Sequence, residues 1–112
     1  MRAVLCSEYG PPEKLKVDEV DDPRPQKGQV ILGVEACGVN FPDTLIIEDK
    51  YQFHPPLPFS PGGEVAGVIE SLGEGVEGFG VGDKVIALMP FGGYAEKVAV
   101  DYRSLLKRPS EM

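Results

Sequence analysis

Residues 36–44 read Ala36-Cys37-Gly38-Val39-Asn40-Phe41-Pro42-Asp43-Thr44. They close an apolar run of strand character, Val30 to Val39, in which Val30, Leu32, Val34 and Ala36 alternate onto one face. Glu35 marks the opposite face as partly wet. An amide, an aromatic ring and a carboxylate then crowd the point where the strand ends. Two readings follow. In the first the stretch is a strand-to-helix corner. The Asn40 side-chain oxygen takes an orphan backbone N–H, Pro42 and Asp43 occupy the first turn, and Thr44 to Asp49 forms a short helix. In the second the corner is also a cleft wall, with Asn40 and Asp43 turned toward a ligand. The local pattern favours the first and leaves the second open.

Outward from this corner the chain reads as short strands. Arg2 to Ser7 is apolar enough for a strand, and Leu15 to Val20 alternates as a half-buried one should. Asp21 to Pro25 is a stiff connector. Tyr51 to Pro61 carries four prolines and the sole histidine, His54, so it reads as an irregular loop with His54 exposed. Val65 to Leu72, Asp83 to Leu88 and Tyr94 to Val100 are further strands, followed by a short segment at Leu105 and Leu106. Gly67, inside one of them, predicts a bulge or a close backbone approach. Six or seven strands with one short helix favour a barrel or sandwich over α/β layers.

Composition narrows the class. A chain of 112 residues suffices for one domain with a real core. No apolar run approaches membrane-spanning length, and no signal peptide is evident. Cys6 and Cys37 show no paired spacing and read as free thiols of a reducing cytoplasm. The net charge of −7 leaves no basic patch for nucleic acid or an anionic membrane.

Gly73-Glu74-Gly75-Val76-Glu77-Gly78 matches G-x-G-x-x-G literally. The dinucleotide fingerprint requires a helix to open behind it, with its N-terminus facing pyrophosphate. Here Phe79-Gly80-Val81-Gly82 runs into Lys84-Val85-Ile86, and Glu74 and Glu77 would repel phosphate. The stretch is a turn region. Cys6, Cys37 and His54 lack metal-ligand spacing, so no metal site is expected. Asp43 and Glu64 are a possible carboxylate pair, although Glu64 equally suits hydrogen bonds to the backbone around Gly62 and Gly63.

Four motifs now stand in order: Cys37-Gly38-Val39-Asn40-Phe41-Pro42-Asp43, Pro61-Gly62-Gly63-Glu64-Val65-Ala66-Gly67, Gly82-Asp83-Lys84-Val85 and Gly92-Gly93-Tyr94-Ala95-Glu96. Together they resemble the quinone oxidoreductase branch of the medium-chain dehydrogenase/reductase superfamily, over essentially the whole chain. The resemblance implies a mainly β, GroES-like fold, a partly open β-barrel with short helices. Where alcohol dehydrogenase members place a zinc-ligating cysteine this chain has Asn40, and where they place a ligating histidine it has Gly63. That departure implies a zinc-independent enzyme. It further implies a nicotinamide cleft lined by Asn40, Phe41, Pro42, Asp43 and Thr44, with Tyr51 facing substrate. Asn40, Asp43 and Tyr51 are then the candidate catalytic residues, NADPH the cofactor, and a quinone or α,β-unsaturated carbonyl compound the substrate.

Residues 1–112 are expected to be the catalytic domain alone, without the Rossmann domain that such enzymes use to hold the nucleotide. Acting alone the chain is expected to be inactive and to bind NADPH weakly. An exposed apolar patch and an unpaired strand edge should remain, open to a Rossmann domain in cis or trans or to a second copy of the chain. The alternative is a GroES-like binding or assembly module that pairs with a separate partner.

Overall fold

The computed structural model describes residues 1–52 and 54–109. Seven strands form two sheets: β1 (Arg2–Leu5), β2 (Lys16–Glu19), β3 (Gln29–Cys37), β4 (Glu64–Leu72), β5 (Lys84–Leu88), β6 (Lys97–Asp101) and β7 (Leu105–Lys107). A single α-helix, α1 (Phe41–Ile47), follows β3. β1 and β2 pair with each other, and the remaining five line up antiparallel in the order β6-β3-β4-β5-β7. The sheets do not close on themselves, which gives the partly open barrel expected from the sequence. The turn region 73–82 leads into β5 and opens no helix, with positive φ at Gly75, Gly78 and Gly82. Among the described residues no helix is long and apolar enough to cross a membrane.

The core sits on the concave face of the larger sheet. Val30, Leu32, Val65, Ile69, Val85, Ala87, Val100 and Leu105 form one buried cluster, with Leu32 and Ile69 its largest members. Each such side chain contributes about 1.5–3 kcal/mol by leaving water. The alternation read into β3 breaks partway. Register shifts between Ile31 and Leu32 and between Val34 and Ala36 turn Ala36 out to solvent rather than onto the face of Val30 and Leu32. Opposite the second shift Gly67 faces Val34. A Cβ there would run into the Gly33 carbonyl oxygen, so the predicted close approach is real.

Two other expectations are corrected. β2 is exposed along all four residues, Val17 included, and its strand partner among the described residues is β1. The helix starts three residues early, at Phe41, because its cap at Asn40 recruits the first turn directly. It stops before Asp49, whose φ of 60 reverses the chain. Lys50 N–H then reaches the Leu45 carbonyl at 2.8 Å and Asp49 N–H reaches Ile46 at 3.3 Å, a Schellman closure. Ile46 and Ile47 anchor α1 in a second buried cluster with Cys6 and Phe59. That anchoring fixes where the polar N-terminal end of α1 points.

Candidate active site

The end of β3 and the start of α1 are joined by one carboxylate. Asp43, nearly buried at 9% exposure, accepts the Asn40 backbone N–H on Oδ2 at 2.9 Å, while the Asn40 carbonyl accepts Asp43 N–H at 3.0 Å. Asn40 and Asp43 thus form a reciprocal capping box, the Asn40 side chain toward the Asp43 backbone N–H and the Asp43 carboxylate back to the Asn40 N–H, and the helix N-terminus gains a negative charge where the helix dipole favours one. The same Oδ2 accepts a hydrogen bond from the Tyr94 hydroxyl at 3.1 Å, across 51 residues of sequence. Burial, followed by the Asp43 contact, pushes the Tyr94 phenol well above its ordinary range, so it stays a donor at every working pH.

A cavity of about 380 Å³ opens beside this corner. α1 and its cap supply Asn40, Pro42, Asp43 and Ile46, and Tyr51 joins them from the following loop. Gly63 and Glu64 at the start of β4, and Leu88 to Pro90 at the end of β5, complete the lining. Of the residues singled out in the sequence, Asn40, Pro42, Asp43 and Tyr51 therefore share one cavity. Phe41 and Thr44 do not line it. Phe41 stands 74% exposed, and the Thr44 hydroxyl donates to the Phe41 carbonyl at 2.7 Å.

The carboxylates of Asp43 and Glu64 both border the cavity. Glu64 lies beside Gly38, where a Cβ would come within 2.9 Å of its Oε1, and accepts Gly38 N–H on its backbone carbonyl at 2.8 Å. Its side chain makes no hydrogen bond to Gly62 or Gly63 among the described residues. The nearby Cys37 thiol is raised above its ordinary pKa, chiefly by burial and further by the charges of Asp43 and Glu64. It is a packing residue, its sulfur within 2.8 Å of a Cβ placed at Gly62 and 2.7 Å of one at Gly93. His54 is exposed, as expected, with Nδ1 2.6 Å from Asp49 Oδ1.

Sequence reasoning missed Tyr94 and the Leu88–Pro90 wall. Tyr94 read as one more residue of an alternating strand, and no local signal ties it to a carboxylate half the chain away. The Gly92-Gly93-Tyr94 motif was the only hint. Gly93 is buried and Gly92 has a φ of 110, so the chain turns there in a way that sends Tyr94 back across the sheet end.

Comparison with known proteins gives the family of the chain. A family model for the alcohol dehydrogenase GroES-like domain matches residues 26–110. The chain is 44% identical over its whole length to the quinone oxidoreductase of Lama guanicoe, of which it covers 34%. The crystal structure of the human synaptic vesicle membrane protein VAT-1 homolog-like protein superposes over all of the chain with a TM-score of 0.96 at 35% identity, the chain covering 36% of it. The Escherichia coli quinone oxidoreductase complexed with NADPH superposes with a TM-score of 0.94 at 26% identity, again over all of this chain and 34% of that one. The chain thus spans about a third of the length of its relatives.

Proposed function

Because the chain belongs to the alcohol dehydrogenase GroES-like domain family, in the quinone oxidoreductase branch of the medium-chain dehydrogenase/reductases, we propose that it is the catalytic-domain portion of a zinc-independent, NADPH-dependent reductase of quinones or α,β-unsaturated carbonyl compounds. The observation that carries this reading is the convergence of Asn40, Asp43 and Tyr51 on one cavity.

The cavity suits one end of the cofactor and not the other. Its volume fits a ring system, and Pro42, Ile46, Leu88 and Met89 offer it apolar surface. No Lys or Arg lines it, while Asp43 and Glu64 make it acidic, so nothing there would hold a pyrophosphate. The phosphates need a second, nucleotide-binding domain in cis or trans, and the chain by itself is inactive and binds NADPH weakly. Zinc finds too few donors, since Asp43 and Glu64 are the cavity's carboxylates and no group of three His, Cys, Asp or Glu able to hold a metal occurs among the described residues. The lining contains neither His nor Cys, and a Cβ at Gly63 would collide with the Met89 carbonyl oxygen.

When bound, NADPH supplies the hydride. The Asn40 side-chain oxygen belongs to the capping box, and its NH2 group offers neutral N–H donors where a metal would otherwise polarise a carbonyl. The Tyr51 hydroxyl donates to the substrate oxygen as negative charge develops on it. Asp43, its Oδ2 held by two donors, orients Asn40.

Steady-state NADPH oxidation by the complete protein with a quinone acceptor tests the assignment. Tyr51→Phe and Asn40→Ala should each lower kcat by roughly 10²-fold. Full turnover in Tyr51→Phe would remove Tyr51 from the mechanism. Absence of NADPH-dependent quinone reduction by the wild type would remove the function itself.

A further inference from the structure

We infer that Tyr94 is a positioning residue for the site, holding Asn40 in place through the Asp43 carboxylate; this rests on the reading of Asn40 as the group that meets substrate or cofactor. Tyr94 does not line the cavity. It contacts α1 through Asp43, the Pro61–Gly62 turn and β1 at Val4. Its hydroxyl donates to Asp43 Oδ2, the oxygen that also holds the Asn40 N–H. Its ring lies against the Gly62 turn, where an added Cβ would come within 2.6 Å of Cδ1. Its backbone N–H bonds the Pro61 carbonyl at 2.9 Å, and its carbonyl accepts Val4 N–H at 2.8 Å.

The ring and the hydroxyl have separable roles. Packing against Gly62, where φ is 98, requires a flat aromatic face, and phenylalanine would provide it. The hydroxyl adds only the bond to Asp43. A half-buried phenol finds a partner, and the partner here is the carboxylate that shares in capping the helix bearing the site. Removing the hydroxyl leaves Oδ2 with the Asn40 N–H alone. Asp43 then gains freedom about its own side-chain bonds, and the first turn of α1 loosens with it. An angstrom-scale displacement of Asn40 is enough to misplace a donor at a reacting oxygen.

The test uses the complete protein carrying Tyr94→Phe, Asp43→Ala, or both. Tyr94→Phe should lower kcat/KM on the order of tenfold, chiefly through kcat, because positioning matters most at the transition state. In the Asp43→Ala background the same change should cost nothing further, since the path through the carboxylate is already cut. Hydrogen exchange of peptides covering residues 38–48 should quicken in Tyr94→Phe. Unchanged kcat/KM with unchanged exchange would overturn the inference, as would losses that simply add. Exchange also separates the two readings. A wild-type protein that reduces no quinone overturns the proposed function, while quickened exchange confined to 38–48 still reports the Tyr94–Asp43 link.

Discussion

Gly63→Ala is the most informative single substitution, because the structure makes its cost calculable. Gly63 sits where β4 begins and faces the end of β5. Its carbonyl accepts Met89 N–H at 2.8 Å, and a Cβ added to it would fall deep inside contact distance of the Met89 carbonyl oxygen. Backbone, unlike a side-chain tip, cannot swing aside. Ordinary contact requires the β5 end to retreat by about 1 Å. Overpacking of this kind costs ~1–3 kcal/mol. Weakening the Gly63–Met89 hydrogen bond adds ~0.5–1.5 kcal/mol. The sum is roughly 1.5–4.5 kcal/mol, an appreciable share of the stability of a domain this size.

Gly80→Ala is the matched control. A Cβ at Gly80 meets nothing within 4 Å, its φ is not in the left-handed region, and its N–H bond to Asp83 Oδ2 at 2.9 Å is undisturbed. The substitution should gain ~0.4–1 kcal/mol by restricting the unfolded chain. Urea unfolding of the two variants and the parent, with equal m-values, measures both effects. If Gly63→Ala lies within ~0.5 kcal/mol of the parent, the close approach of β4 and β5 at this point is wrong, and with it the argument that position 63 has no room for a side chain.

Three further outcomes are expected. The Asp101 carboxyl, held by the Arg103 side chain at 2.7 and 3.1 Å and by its backbone N–H, titrates at about 2, and Arg103→Ala should return it toward the ordinary ~3.9. The depressed pKa means that this contact stabilises the fold above the ordinary carboxylate range and loses that effect as pH falls through about 2; carbon-13 NMR titration of the carboxyl reads it directly. Gly67→Ala should destabilise by ~1–3 kcal/mol in the same urea assay, since the Gly33 carbonyl occupies the space and β3 is pinned on both sides. Calorimetric titration of the 112-residue chain with NADPH should give no measurable heat, whereas saturable binding would mean that the acidic cavity or the 73–78 turn holds phosphate after all.

Local signals in the sequence settled a good deal. Alternating apolar residues placed β3 to β6 within a few positions, because burial on one face of a pleated strand imposes a period that the chain cannot hide. Gly67 announced a close approach, and the absence of a helix after Gly78 denied the glycine motif its usual meaning. The Asn40-to-Asp43 stretch announced a capped helix, since a cap involves only neighbours in sequence. The tertiary structure alone decided which chemistry those residues keep free. Asp43 shares the cap with Asn40, and Tyr94 reaches its carboxylate across 51 residues of sequence. The bulges of β3 turn Ala36 outward, and β2 stands exposed despite its alternation. Each of these outcomes depends on which strand lies beside which, and a contact across 51 residues leaves no period in the chain that makes it.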